Sequence, residues 1–472
     1  MTRALVYGVA IAGEAVMRAL IARDYEVVAA DDHVTPEKQA VADELGIELH
    51  DAPDRLRISE LVDWADLIAP APGVAETHAV VLAAITADRP LRTEIDLAYE
   101  WEQARRGGPR PMLAVTGTDG KTTTTLLATE MLIAAGLHAV AVGNTDVPLV
   151  EAIADDTIDV FVVECTSFRL SWTTCFRPEA AVWLNLAPDH LNWHTDMASY
   201  ECAKARMWMY QGPADAAIGF VDDPIVMAQL ARAPARHVTF GLVGADYRCE
   251  TVQGSRRLVG PHGDLCAVAD MRRALPHDIT NALAAAALVA ESGLADRDAI
   301  GRALSTFVGP EHRLERVGSA DGVEWFNDSK ATTPHAALTA IRAFDSLVLI
   351  AGGRNKGLDL SELASEPQRM RGVVAIGEAA DLIAQTFSGI CEVTRAGSMA
   401  EAVDQAAGLA ESGDAVVLSP ACASFDWYPD GGYPARGADF RALVLAHFQR
   451  TTARPLATAR RSSAAQPEGA AS

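Results

Sequence analysis

Short apolar runs alternate along the chain with stretches whose apolar residues recur at helical spacing. "RALVYG" (3–8) precedes a helix-spaced run from Ala12 to Arg23. "YEVVAADD" (25–32) and "ADLIAPAPG" (65–73) follow, with a further helix-like run behind them. Strand, helix and strand in short steps predict a parallel sheet with crossover helices. A second such series begins after "RRGGPRP" (105–111), a glycine- and proline-rich stretch that reads as a linker. It runs "MLAVTG", "HAVAVGN", "DVFVVECT", "AAVWLNL" and "AAIGFVDD", and closes with the helical patterns "DITNALAAAALVAES" and "DRDAIGRALSTF". "VGPEHRLERV" (308–317) reads as a second junction. A third series follows: "VEWFNDSK", "SLVLIAGG", "VVAIGE", "AVVLSPAC" and the helical "ADFRALVLAHFQ". The expected architecture is α/β in three domains, 1–108, 109–309 and 310–452. Residues 453–472, small, polar and proline-interrupted, bury too little apolar surface to fold and are expected to form a disordered tail.

Composition narrows the function classes. At ~150 residues per domain, 472 residues suit three domains. A formal charge of −23 argues against a nucleic-acid surface, because phosphate backbones need basic stripes. It leaves room for a small anionic ligand held by a few donors and a metal ion. No apolar stretch reaches the ~18 residues of a membrane span. The N-terminus lacks a lysine- or arginine-rich leader and alternates strand and helix patterns, so the chain reads as folded cytoplasmic protein. Seven cysteines without a CxxC pair make neither a disulfide framework nor a zinc site.

The strongest chemical signal is "GTDGKTTTT" (117–125), a glycine-rich elbow between a predicted strand and a predicted helix. Gly117, Thr118, Asp119 and Gly120 can turn backbone amides toward phosphates at a helix N-terminus. Lys121 can reach the outer phosphates, and the Thr122 hydroxyl suits magnesium. Val115 stands where the usual phosphate loop has its first glycine, so this is a shorter variant; an ordinary strand-to-helix turn is the plain alternative. Near the N-terminus, "GVAIAG" (8–13) resembles a dinucleotide fingerprint with Ala10 in place of the middle glycine. It makes sense as a diphosphate-binding turn formed by Gly8, Ala10, Ile11 and Ala12. Asp31 and Asp32 end the second strand, where an acid commonly meets a ribose or base.

"VTGTDGKTTT" resembles the ATP loop of the Mur ligases, amide-forming enzymes of peptidoglycan precursor synthesis. Seven further motifs match that family in order: "VGNTDVP", "VVECTSFRL", "LNLAPDHLNWH", "YECAKARM", "EHRLE", "NDSKATT" and "LSPACASFD". They span most of the chain, and "NDSKAT" with "SPACAS" points to the branch that adds D-glutamate. The resemblance implies an N-terminal Rossmann-like domain for the uridine substrate, a central P-loop-type ATPase domain with a mostly parallel sheet, and a C-terminal Rossmann-like domain for the amino acid. It implies ATP-driven phosphorylation of the carboxylate of UDP-N-acetylmuramoyl-L-alanine, then attack by the D-glutamate amine, by a protein expected to be monomeric.

By that resemblance, Lys121, His190 and Lys204 are catalytic. Lys121, Thr122 and Thr123 join the loop residues on ATP, with Asn281 on adenine and Arg313, Asp328 and Lys330 completing the nucleotide site. Thr122, Glu164, His190 and Lys204 would support two magnesium ions, Lys204 as a carbamate. Asn144, His190, Ala71 and Gly73 would line the uridine-substrate path. Ala71 replaces the family's usual serine, so a hydroxyl contact is lost there. Thr332, Lys356, Ser424 and Phe425 would hold D-glutamate, and the aromatic bordering that pocket is Tyr428 or Tyr433. Read alone, Glu164 is more readily a strand-end acid, His190 a structural hydrogen-bonder and Lys204 a solvated helix lysine, and Asn281 has a helix cap as its plain alternative. Three rivals remain in view. A sibling ligase for another amino acid or a folylpolyglutamate-type substrate would need different third-domain motifs; the arginine-containing pocket expected of a diaminopimelate-adding enzyme is not found. A nicotinamide oxidoreductase leaves "GTDGKTTT" unexplained. A non-catalytic nucleotide binder would not need Lys121, Glu164, His190 and Lys204 together.

Overall fold

The computed structural model describes residues 1–145, 147–191 and 193–452. The expected tail, 453–472, lies outside the described residues, as do Asp146 and Asn192 within two of the quoted motifs. The chain divides into two compact units, Met1–Val308 and Gly309 onward. "VGPEHRLERV" contains that boundary.

The first unit opens with a parallel sheet of β1 (Arg3–Tyr7), β2 (Glu26–Asp31), β3 (Glu48–Asp51) and β4 (Leu67–Pro70), in the order β3-β2-β1-β4. A second parallel sheet comprises β5 (Met112–Thr116), β6 (Ala139–Gly143), β7 (Val160–Glu164), β8 (Ala180–Trp183), β9 (Ala216–Phe220) and β10 (Arg236–Phe240). Its order is β10-β9-β8-β5-β7-β6. The inner strands of both sheets, such as β1, β5, β7 and β8, are buried on both faces, which is why they read as continuous apolar runs. Ala4 and Val6 enter one core while Leu5 and Tyr7 enter another. Met112 and Ala114 likewise face away from Leu113 and Val115.

One cluster is shared by the two sheets: Val6, Ala29 and Leu67 of the first belong with Ala114, Phe161 and Trp183 of the second, through the helices Ile11–Ile21 and Glu94–Gln103. That shared core explains why the two sheets form one compact unit. The predicted linker is anchored rather than loose. Arg110 is buried, pairs with Glu102 at 2.8 Å and donates to the carbonyls of Ile153, Asp155 and Ile158. A buried guanidinium must spend its donors in this way.

Behind β10 lies an antiparallel sheet of β11 (Arg248–Val252), β12 (Ser255–Gly260) and β13 (Gly263–Ala267), which the apolar pattern did not predict. The second unit holds a mixed sheet of β14 (Glu315–Ala320), β15 (Val323–Asn327), β16 (Leu347–Gly352), β17 (Met370–Ile376), β18 (Glu392–Ala396) and β19 (Ala415–Ala421). Its order is β14-β15-β19-β16-β17-β18, with only β14 antiparallel. No helix among the described residues is long and apolar enough to cross a membrane.

Candidate functional site

In open α/β sheets the ligand crevice lies beyond the carboxyl ends of the strands, where the strand order reverses. In the second sheet that point is between β5 and β8, and the phosphate-loop candidate sits there. Gly120 has φ 83°, a left-handed value that favours glycine, and a Cβ on it would lie 2.6 Å from Asn281 Oδ1. The helix Lys121–Ala134 therefore starts from a glycine with no side-chain cap, and Asn281 is brought against it. The loop is stapled to the segment after β8 by Asn185. Its Oδ1 accepts from the amides of Thr118 (3.0 Å) and Asp119 (2.9 Å), and its Nδ2 donates to Asp119 O. Thr118 Oγ1 lies 3.1 Å from the Tyr200 hydroxyl and accepts from the Ala187 amide.

Two lysines meet on the same carbonyl. Lys121 Nζ donates to Gly117 O (2.9 Å) and Thr118 O (2.8 Å), and Lys204 Nζ donates to Gly117 O at 2.7 Å. Lys204 is only 1% exposed, so its reading as a solvated helix lysine is excluded. Burial first, and then repulsion from Lys121, hold its ammonium well below the ordinary lysine value. A neutral amine is the form that can attack carbon dioxide.

Glu164, at the end of β7, is also 1% exposed. Its Oε1 accepts from Asn144 Nδ2 at 2.9 Å, while the buried Oε2 has no hydrogen-bond partner. A buried carboxylate oxygen left without a donor is costly unless a cation completes it. Thr122 lies in the first turn of the neighbouring helix, so the residues present fit a magnesium ion. Among the described residues no three His, Cys, Asp or Glu side chains form a cage of their own. Magnesium needs none where phosphate and water complete its shell. Thr123 is buried in the helix rather than open to the loop.

His190 has φ 56°, an uncommon conformation for a non-glycine residue, and such strain persists where surroundings hold it. Its ring packs on Phe168 with centroids 4.6 Å apart, and its Nε2 lies 3.2 Å from Asp189. Burial lowers its pKa, with Asp189 opposing and Lys121 and Lys204 adding to the fall, which favours the neutral imidazole.

The first sheet reverses order between β1 and β4. Gly8 has φ 96°, and a Cβ there would meet Ala71 Cβ at 2.8 Å. The helix Ile11–Ile21 begins after Ala10 with no side-chain cap, and Ile11 is exposed. Asp31 is turned inward: it accepts from the amides of Val9 (2.6 Å) and His33 (2.9 Å) and pairs with Lys38 at 2.7 Å. It therefore holds the turn, while its neighbour Asp32 is exposed and accepts from the Tyr7 hydroxyl. Pro72, between Ala71 and Gly73, accepts through its carbonyl from Trp193 Nε1 at 2.9 Å.

In the second unit, the ends of β15, β19 and β16 adjoin across the reversal of that sheet, and they carry Asp328–Thr332, Ser424–Phe425 and Lys356. Asp328 is buried, accepting from the Leu314 amide and, at 2.7 Å, from the Ser419 hydroxyl. Arg313 lies between His312 and Leu314, both at positive φ. Lys356 and Phe425 are exposed, Ser424 is buried and Thr332 half-buried. Tyr433 lies beside Lys330 (Nζ 5.8 Å from the ring centre), whereas the Tyr428 hydroxyl is committed to Asp439 at 2.6 Å.

Several organising residues escaped the sequence reading. Arg436, 1% exposed, donates to Ser329 Oγ and to the carbonyls of Ser329 and Cys422, tying the ends of β15 and β19 together; burial brings its pKa down to about 10. It lies in "DWYPDGGYPARG", where no strand or helix pattern singles it out. Asn185, Tyr200, Glu76 and His194 went unassigned too. Asn185 follows a strand end inside a quoted motif, a position that could have marked it.

Known proteins resemble this arrangement. Residues 115–289 match the Mur ligase middle domain, and residues 312–422 match the Mur ligase, glutamate ligase domain. The chain is 41% identical over 456 residues to the UDP-N-acetylmuramoylalanine–D-glutamate ligase of Frankia casuarinae, covering 94% of this chain and 93% of that protein. It is 36% identical over 488 residues to the enzyme of that name from Mycolicibacterium smegmatis, covering 94% and 96%. In fold it is similar to the crystal structure of the Thermotoga maritima MurF ligase in complex with ADP, with a TM-score of 0.57 at 15% identity, covering 94% of this chain and 98% of that one. The UDP-N-acetylmuramate-alanine ligase MurC of the same organism gives 0.55 at 18% identity, covering 96% and 100%.

Proposed function

The chain belongs to the Mur ligase family, and on that premise we propose that it joins D-glutamate to UDP-N-acetylmuramoyl-L-alanine at the expense of ATP, in peptidoglycan precursor synthesis. The observation that carries a ligase reading is the meeting of a buried amine and a buried carboxylate at one loop. Lys204 reaches Gly117 O from its helix, and Glu164 arrives from β7 with an unpartnered oxygen. A turn built only to connect a strand and a helix needs neither.

The work divides along the three expected domains. Residues 1–108 take the uridine diphosphate at Gly8–Ala12 and Ala71–Gly73, where helix-terminal amides face the anion. Residues 109–309 take ATP on Gly117–Thr123, with Asn281 toward adenine, and residues 310–452 bring Arg313, Asp328 and Lys330. Thr122 and Glu164 would hold one magnesium ion; His190 and a carbamate on Lys204 would support a second. The metal supplies neutralisation of phosphate charge. Lys121 orients the outer phosphates so that the γ-phosphoryl group passes to a carboxylate oxygen of the alanyl arm, with ADP leaving. Asn144 and His190 seat that arm. Thr332, Lys356 and Ser424 hold the carboxylates of D-glutamate beside Phe425 and Tyr433. Its amine, having lost a proton, attacks the acyl carbon; the C–O bond to phosphate breaks and inorganic phosphate leaves. Most of the acceleration comes from alignment and fixed charge. We place the enzyme in the cytoplasm, as a monomer.

The test is phosphate release from ATP with UDP-N-acetylmuramoyl-L-alanine and a panel of amino acids. Release with D-glutamate alone is expected. Release with another amino acid instead assigns a sibling activity, and release with none defeats the ligase reading.

A further inference from the structure

The segment after His190 is fastened to the loop after β4 by contacts that the proposed chemistry does not use. The Thr195 amide donates to Glu76 Oε1, and the Ser199 hydroxyl lies 2.8 and 2.7 Å from the two Glu76 oxygens. His194 is fully buried at its side chain; its Nδ1 lies 3.6 Å from Glu76 Oε2 and its Nε2 lies 2.9 Å from Ser167 Oγ. A serine, histidine and glutamate in this order suggest a hydrolytic triad, but Ser167 and His194 are 1% and 2% exposed, so no substrate reaches them. The cluster holds position instead.

What it positions can be followed outward. Trp193 is bonded to Pro72 O and packs on Phe168 with centroids 4.8 Å apart, and Phe168 also packs on the His190 ring. The amides of Trp193 and His194 both donate to His190 O, at 2.9 and 3.0 Å. On the far side, His194 packs on Tyr200 at 5.2 Å, and Tyr200 reaches Thr118 of the phosphate loop. His190 holds a left-handed backbone that needs such bracing.

We propose that Glu76 and Trp193 form a positioning latch that fixes residues 193–199 to the uridine-side loop Ala71–His78, so that filling that loop and placing His190 are one event. The inference rests on the reading of 71–73 as part of the uridine site. The latch is a mechanical link, since both of its anchor points, Pro72 and Glu76, lie in that loop.

The test uses the whole protein and UDP as probe, with two readouts. Amide hydrogen exchange of residues 187–199 is measured with and without saturating UDP, confirmed by calorimetry. We expect UDP to slow exchange there by at least about threefold in the unaltered chain. Glu76→Ala should abolish that slowing while UDP still binds, and Glu76→Gln, which keeps an acceptor for Thr195 and Ser199, should restore it. In turnover, Glu76→Ala should lower kcat about tenfold and raise KM for the uridine substrate, leaving KM for ATP unchanged. Unchanged exchange on UDP binding, or failure of UDP to bind, overturns the latch, as does a folded Glu76→Ala variant that keeps the response. Should the unaltered chain release no phosphate with any amino acid, the ligase reading falls, and the exchange result still decides the latch.

Discussion

Two strand-to-helix elbows in the first unit solve the same backbone problem with opposite electrostatics. Gly8 and Gly120 both take positive φ, at 96° and 83°, and both would collide with a neighbour if given a Cβ. Both helices behind them start without a side-chain cap, leaving first-turn amides for an anion. The surroundings differ. Behind the first elbow, a carboxylate, Asp31, grips the Val9 amide. Behind the second, Lys121 and Lys204 converge on Gly117 O. Backbone amides alone suit a diphosphate that is merely held. An added cation and a buried amine, with a buried carboxylate left for a metal, suit a phosphate that is transferred. The difference between a grip and a reaction lies in side chains around a shared turn.

Removing the second elbow's charge should separate the two most. Lys121→Ala is expected to lower kcat by ~10³-fold or more, because the lysine acts on charge that moves during transfer. UDP affinity, measured by calorimetry, should stay unchanged; equal loss at both sites would mean that the elbows are not independent. Next in size is Lys204→Arg. A guanidinium cannot take up carbon dioxide as an amine does, so the arginine should fare no better than Lys204→Ala, both losing ~10²-fold. Stripping bicarbonate from the unaltered enzyme should lower turnover, and adding it back should restore it. An arginine variant near full activity would show that only positive charge is required there.

Glycine substitutions compare the backbones directly. Gly120→Ala should raise KM for ATP about tenfold, and Gly8→Ala should do the same for the uridine substrate, each sparing the other ligand, with ~1–3 kcal/mol lost in stability. Initial rates across both substrates, with a thermal melt for each variant, check this. A crossed effect, Gly8→Ala weakening ATP, would show that the shared core transmits strain between the sheets.

These elbows also mark what could be read in the sequence. Strands buried on both faces announced themselves as apolar runs, and β1, β5 and β7 fall where expected. β11 to β13 did not, since few of their residues are buried and polar ones such as Glu250, Arg257 and Asp264 interrupt them. Residues on motif positions, Lys121 and Glu164 among them, were named in advance. Their state was not: the burial of Lys204 and the unpartnered oxygen of Glu164 arise from tertiary packing. Asp31 shows the opposite limit. It was expected to meet a ribose or base, and the structure spends both its oxygens on the protein itself. Arg436 and Glu76 were invisible because each acts between segments far apart in sequence.

The smallest expected effect tests that reassignment of Asp31. Burial opposes its charge, but Lys38 and the amides of His33 and Val9 prevail and hold the carboxyl below the ordinary aspartate value. A carboxylate depressed in the folded state contributes stability that is fully present above its unfolded pKa of ~3.9 and is lost as pH falls through the lower, folded value. Asp31→Asn keeps one acceptor for an amide but cannot pair with Lys38. At pH 7 the variant should therefore be less stable by ~1 kcal/mol, seen as a lower Tm. Because the unaltered chain loses its advantage on acidification, the two melting curves should draw together below about pH 4. KM for ATP should not move, and UDP should bind only slightly more weakly, through a looser Gly8–Ala12 turn. A large loss of UDP affinity with an unchanged, pH-independent Tm would return Asp31 to the ligand-contacting role, and the first elbow would then carry a carboxylate for recognition rather than for shape.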